Sequence, residues 1–395
     1  MYFSYLRVVF LISCLPLMAL GQQFDISRIQ KHVDYLASDE LEGRGTATLG
    51  EIKPAGTERT FFQPFQLSMG VEGMTHQVMA RNVIGLIDNG SKTTMVIGAH
   101  YDHLGKGMQG SSLSADSAHK IHNGADDNAS GTSGLIELAR YFSQNQVKEN
   151  HNLLFIAFSA EELGLIGSKY FCSAPTIPLE NMICMVNMDM IGRLDDAKGI
   201  VISGWGTSPS WGKYIPKIAE KNQLKITVDS SAVGASDHTS FYLKNIPATH
   251  FFTGSHGDYH KVTDDADKIN AAGIGKVIEV IAEVLLKMDQ DETLPVFAKA
   301  ESQQGKSSAS SFKVTLGVMP DYSFSGKGLK VDGVTKGRPA DAAGMLSGDI
   351  ITKLANKHIE TIYDYMAILA EHEKGEQVEV WYLRGKTLLK KKLTF

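Results

Sequence analysis

Five short segments concentrate the residues able to do chemistry. They are Gly98-Ala99-His100-Tyr101-Asp102-His103, the glycine-flanked turn holding Asp126 and Asp127, Ala160-Glu161-Glu162-Leu163-Gly164, Asn187-Met188-Asp189-Met190, and Asp258-Tyr259-His260 with Thr263, Asp264 and Asp265 after it. Adjacent carboxylates repel each other unless a cation or a cationic side chain neutralises them. Acids gathered where water is scarce are costly without such a partner. Histidines joined to carboxylates suit zinc, which takes nitrogen and oxygen ligands. His100 follows a buried-strand pattern, and Asp102 is placed to accept a hydrogen bond from its second ring nitrogen. Each piece alone has a plainer use. A lone Asp closing a strand caps helices or forms turns, and paired Glu at a helix start complements the helix dipole. His103, His119, His122 and His256 read as surface or loop histidines.

The elements that must position these groups alternate in type. Strands are predicted over 82–87, 95–100, 153–158, 183–188, 200–203 and 248–252, and helices over 26–43, 133–142, 163–171 and 274–288. The run Leu153 to Phe158 is continuously apolar, as in a strand buried on both faces. The alternation predicts an α/β fold, a mainly parallel sheet sandwiched by helices. Ligand groups in such sheets gather at the C-terminal ends of strands.

Taken together, AHYDH, NGADDNASG, AEELGLIGS, NMDMIG and DYHKVTDD resemble the signature stretches of the leucyl aminopeptidase-like zinc enzymes, metallopeptidase family 28, over about residues 27–290. The resemblance implies the zinc exopeptidase (phosphorylase/hydrolase-like) fold and two Zn2+ per chain. It assigns His100 and Asp189 to one ion, Glu162 and His260 to the other, and Asp126 as the bridge. It makes Glu161 the general base, Tyr259 the hydroxyl that polarises the scissile carbonyl, and Asp102 the group orienting His100. It also implies a cis peptide after the bridging Asp. The activity implied is an aminopeptidase acting on peptide substrates. A glutaminyl cyclase of the same fold, normally with one zinc, is the first alternative, and a non-catalytic peptide-binding protein the second. Dipeptidase, carboxypeptidase and endopeptidase activity stay open.

The sequence also departs from these relatives. Leu36-Ala37-Ser38-Asp39-Glu40-Leu41-Glu42-Gly43-Arg44-Gly45 matches their N-terminal stretch, but they continue with a helix of several turns before the segment that begins here at Lys53. Gly45 and Lys53 are too close for that helix. Its loss predicts a partly exposed apolar patch. Ser236-Asp237-His238-Thr239-Ser240-Phe241 resembles a pocket-lining segment and equally reads as a turn and helix start. Arg193 is a candidate substrate contact.

Residues 297–311 read as a linker, polar and Ser-rich from 301, and a second domain follows over 312–395. Its glycine-rich β pattern, with a helix over about 363–372, is similar to a small α+β PDZ domain in the bacterial strand order. In that likeness the loop Leu316-Gly317-Val318 holds the terminal carboxylate of a peptide added to the sheet edge. A packing module that binds nothing is the alternative.

The chain has 395 residues, 43% hydrophobic and 21% charged, with a net charge of -5. That suits two globular domains, and without a basic stripe it argues against nucleic acid as a partner. Arg7 followed by the apolar run Val8 to Leu20 reads as a signal peptide, 1–21, cleaved before Gln22. The domains are then 22–296 and 312–395, in an exported protein, periplasmic or extracellular. The run is shorter than a membrane span needs, and a lipoprotein signal ending at Cys14 is the lesser alternative. Cys172 and Cys184 read as buried hydrophobes or as a disulfide.

Overall fold

The computed structural model describes residues 24–55, 61–71, 74–107, 112–114, 119–232, 234–300, 314–320, 326–334, 337–360, 364–365, 368–369 and 371–395. The leader, the Ser-rich segment from 301 and four positions of the helix expected at 363–372 (363, 366, 367 and 370) lie outside them.

The first helix, α1 (Ile26–Leu36), is capped by Asp25, whose carboxylate accepts from the Ser27 and Arg28 amides. It buries Ile29, Val33 and Leu36, the i, i+4, i+7 stripe of a helix laid on a core. The helix predicted to reach residue 43 stops here. A tight turn, Asp39–Arg44, follows, with Glu42 and Gly43 at φ 48° and 72°. A Cβ at Gly43 would lie 2.4 Å from the His122 carbonyl oxygen, so this packing admits only glycine. A short helix, α2 (Leu49–Ala55), follows, so the chain after Gly45 forms two turns and not the several of the expected helix.

Eight strands form one sheet: β1 (Phe62–Val71), β2 (Met74–Ile87), β3 (Thr94–His100), β4 (Asn152–Phe158), β5 (Met182–Met188), β6 (Ile200–Ser203), β7 (Ile226–Val228) and β8 (Ala248–Phe252). Their spatial order is β1-β2-β4-β3-β5-β8-β6-β7. The centre, β4-β3-β5-β8, is parallel, while the β1–β2 hairpin and β6 join it antiparallel. The sheet is therefore mixed, parallel where the chemistry-bearing segments emerge.

Period-two alternation divides each central strand between two layers. Met95, Ile97 and Ala99 of β3 and Leu153 and Phe155 of β4 face α1, α3 (Gly131–Gln144), α5 (Pro209–Lys221) and α7 (Ala271–Asp289). Val96, Leu154, Ile156 and Phe158 face α4 (Ile166–Ser173) and α6 (His238–Tyr242). Cys172 packs in the second layer and Cys184 in the first, so the sheet separates them. Both are free and buried, and burial pushes both thiols up to about 12.

Near the start of the domain Leu49 is 73% exposed, Phe61 49% and Met79 50%, with Met79 on the sheet face opposite Phe65 and Leu67. In α2 Glu51 is buried, accepting from the Ala47 amide at 2.6 Å and from the Ser159 hydroxyl. Burial, reinforced by Asp102, pushes its carboxyl from 4.5 up to about 8. The folded chain thus keeps a proton that the unfolded chain loses. The resulting stability is complete below the unfolded pKa and is lost as pH rises through the folded one, at up to about 1.4 kcal/mol per pH unit. Glu51→Gln keeps an oxygen for the Ala47 amide and turns its NH2 toward the Ser159 hydroxyl oxygen, without the charge. Its stability relative to the parent is expected to rise steadily between pH 5 and 8, read from urea unfolding midpoints at each pH.

The C-terminal unit is an antiparallel sheet of β9 (Val318–Pro320), β10 (Leu329–Val334), β11 (Ile350–Leu354), β12 (Lys357–His358), β13 (Gln377–Arg384) and β14 (Thr387–Thr394), with α8 (Pro339–Ala342) against it. Leu316, Val331, Ile351, Val380 and Tyr382 lie in its core. Among the described residues no helix is long and apolar enough to cross a membrane.

Candidate metal centre

Four neighbouring strands of the parallel centre each deliver a group just past their C-terminal ends: Glu162 after β4, His100 closing β3, Asp189 after β5 and His260 after β8. The turn Ala125–Ser130, which opens α3, reaches across from the first helical layer. Its two acids point apart. Asp127 Oδ1 lies 3.2 Å from His100 Nε2, and its Oδ2 lies 3.2 Å from His260 Nε2. His100 Nε2 is also 3.3 Å from Asp189 Oδ1, and His260 Nε2 is 3.1 Å from Glu162 Oε2.

Asp126, the bridge expected from the sequence, faces away. Its Oδ1 accepts from the Gly192 amide at 2.6 Å, and its Oδ2 accepts from His256 Nε2 at 3.0 Å. Adjacent residues in this turn take divergent backbone angles, so one carboxylate enters the cluster and the other braces the loop behind it. The cis peptide lies after Asp127, at Asp127-Asn128.

The donor set fits zinc. Ligand atoms about 2.0–2.1 Å from a tetrahedral ion stand about 3.3 Å from one another. The four pairs above, at 3.1–3.3 Å, match that spacing. His100 Nε2 and Asp189 Oδ1 are buried without a hydrogen-bond partner, as befits atoms aimed at a cation. The charge balance agrees. Burial pulls His100 and His260 toward the neutral form, yet the surrounding carboxylates, Asp189 and Glu162 foremost, outweigh it and raise both well above the ordinary histidine value. Such a potential calls for positive charge.

A profile of Peptidase family M28 matches residues 82–285, and a PDZ domain profile matches 304–394. The chain belongs to peptidase family M28. Aminopeptidase YwaD of Bacillus subtilis (strain 168) is 28% identical over 198 residues, spanning 47% of this chain and 42% of that protein. The chain thus covers less than half of that relative. The structure is similar to BSAP, a zinc aminopeptidase from Bacillus subtilis, with TM-score 0.54 and 16% identity over 71% of this chain and all of that one. It is equally similar to Bacteroides thetaiotaomicron glutaminyl cyclase bound to N-acetylhistamine, with TM-score 0.53 and 20% identity over 67% of this chain and 98% of that one. At such identities the likeness shows the fold, and it does not choose between the two chemistries.

Other residues of this M28 chain hold the cluster in place. His100 Nδ1–H donates to the backbone oxygen of Asp102 at 3.2 Å, which leaves Nε2 free to face the cluster. The Asp102 carboxylate, 3.7 Å from the same nitrogen, chiefly accepts from Thr46 Oγ1 and from the Glu161 and Glu162 amides. Asp102 therefore orients the acid pair as well as the imidazole. Ser236 donates to Asp189 Oδ2 at 2.8 Å, and Asn187 donates to Ser236, which gives the segment read as pocket-lining a bracing role. Arg193 is occupied by Asp258 and Asp264 at 3.3 and 3.1 Å, which accounts for its charge without a substrate.

Asp264 and Arg44 had no role in the sequence reading. Asp264 Oδ2 accepts from the Asp126 and Asp127 amides at 2.9 and 3.1 Å, tying the His260 loop to the acid turn. Arg44 is fully buried and donates to the carbonyls of Leu36, Tyr101, Asn123 and Gly124. Burial pushes its guanidinium down to about 10, offset in part by Asp127 and Asp102, so the clamp stays charged at neutral pH. The Leu36-to-Gly45 stretch that resembled relatives was the signal of this role.

The histidines read as surface or loop groups all lie in loops, but not all at the surface. His103 and His122 are buried, and His256 supports Asp126. His122 donates from Nδ1 to the Lys120 carbonyl and accepts at Nε2 from Ser112. His119 is exposed. His103 and His256 each bond to an acid from a distant segment, which local pattern does not reveal.

Glu161 stands at the rim, partly exposed. Burial, with Glu162 and Asp189 adding to it against the pull of His100, holds its carboxyl well above the usual value. The Tyr259 ring stacks on His260 with centroids 3.9 Å apart and packs against Met190, Val201 and Phe252. In the PDZ unit Gly317 has φ 73°, and its amide donates to Thr315 Oγ1 at 3.0 Å, so that N–H of the expected carboxylate loop is already engaged.

Proposed function

We propose that this chain is an exported two-zinc aminopeptidase that removes N-terminal residues from peptides. One observation carries the reading: the two Asp127 oxygens divide between a His100–Asp189 pair and a Glu162–His260 pair, at spacings suited to two ions. His100, Asp189 and Asp127 would hold one zinc, and Glu162, His260 and Asp127 the other. When bound, zinc supplies Lewis acidity to the scissile carbonyl and to the attacking water.

The protein's own groups do the rest. Glu161 accepts the proton of the attacking water and delivers it to the leaving amine. Tyr259, fixed by its stack on His260, donates its hydroxyl hydrogen to the oxygen that gains negative charge. The loaded centre and the acids beside it would hold the free α-amine of the substrate. The PDZ unit binds a peptide C-terminus at the β9 edge.

A glutaminyl cyclase needs only one metal group, so the second pairing favours the peptidase reading. The test is a mass-spectrometric screen of the metal-loaded protein on matched free and N-acetylated peptides. Cleavage confined to the free set is expected. Equal cleavage of both sets removes the aminopeptidase assignment, and cyclisation of N-terminal Gln without cleavage moves it to the rival.

A further inference from the structure

His103 is the donor in the centre that the two-metal scheme leaves without a role. Its Nδ1 lies 2.7 Å from Glu162 Oε1 and 3.9 Å from Asp127 Oδ2. Two functions are open to it: a further ligand of the ion that Glu162 would share with His260, or a group that holds Glu162 still.

The distances decide between them. Donor atoms converging on one tetrahedral zinc stand about 3.3 Å apart, as the His100 and His260 pairs do at 3.1–3.3 Å. His103 satisfies that spacing with neither neighbour. Its 2.7 Å contact is instead the length of an N–H donor on a carboxylate. Glu162 is thereby divided, with Oε2 facing His260 at 3.1 Å and Oε1 accepting from His103.

The imidazole is itself locked. It is fully buried, its backbone amide donates to the Arg44 carbonyl at 3.1 Å, and it meets His260 edge-on with centroids 5.9 Å apart. A Cβ at Gly124 would lie 2.4 Å from the ring, so the acid turn presses directly on it.

We infer that His103 is a positioning residue: its Nδ1–H holds one oxygen of Glu162 so that only the other faces the metal position shared with His260 and Asp127. The inference rests on the two-metal reading. A Glu side chain has three rotatable bonds, and without that hydrogen bond it would swing or present both oxygens. His103 does for Glu162 what the Asp102 carbonyl does for His100, so each ion would have one ligand steered from behind.

The test uses the full-length protein loaded with Co2+. In the unmutated protein, hyperfine-shifted imidazole N–H resonances should number two, from His100 and His260, and a third would make His103 a ligand and overturn the inference. His103→Asn retains a donor at the Nδ1 position, whereas His103→Leu does not. Both should hold two ions at saturation with the parent's ligand-field spectrum. His103→Leu should bind the ion shared by Glu162 and His260 about 10–100-fold less tightly, and His103→Asn should restore most of that loss. A variant that holds one ion at saturation, or a His103→Leu protein with parental affinity, would overturn it. An unmutated protein that saturates at one ion would instead remove the two-metal reading from which the inference starts.

Discussion

Glu161→Gln is expected to keep both metal ions and lose about 10²–10⁴-fold in kcat, the range that a general base contributes. The replacement preserves size. The segment is held by its backbone, with the Glu161 and Glu162 amides donating to Asp102 at 3.1 and 3.4 Å, and neither bond involves the substituted group. Glu162 should therefore stay where it is. KM should change little, because the loss falls on proton transfer in the transition state and not on substrate binding. Metal analysis with steady-state kinetics on one preparation checks the prediction. Turnover within tenfold of the parent would take the base role from Glu161, and loss of metal would make it a ligand.

The second large effect separates two neighbouring acids. Asp127→Ala removes the carboxylate that faces both histidines, at 3.2 Å each. Metal binding should weaken by at least about 100-fold, beyond what loss of a supporting group costs, and peptide hydrolysis should disappear with it. Asp126→Asn keeps an oxygen for the Gly192 amide and loses the charge and the hydrogen-bond acceptor opposite His256 Nε2. It should stay within about tenfold of the parent in metal affinity, as a loop brace would. Isothermal titration of the metal-free proteins with Zn2+ reads both. If Asp126→Asn lost metal and Asp127→Ala did not, the bridging assignment would return to Asp126.

This pair marks where sequence reasoning reached its limit. The turn was recognisable from its glycines and adjacent acids. Which acid enters the cluster depends on backbone angles at Asp127 and Asn128 that no spacing rule supplies. The helix expected to run to residue 43 shows a related limit. Its apolar stripe ends at Leu36, and the chain turns because Gly43 must pass close to the His122 and Gly105 carbonyls, a contact between distant segments. β1 had no counterpart in the sequence reading, since its strand character depends on pairing with β2.

Sequence alone determined the α/β alternation, the central strands and the acids and histidines at their ends. These depend on local periodicity and on the simple rule that a buried strand must be apolar until it stops. The tertiary structure alone decided that Asp127 and not Asp126 faces the cluster, that Arg44 and Asp264 tie its loops together, and that His103 lies behind Glu162. Those outcomes depend on hydrogen bonds between residues far apart in the chain, whose directions exist only once the sheet has brought its strand ends together.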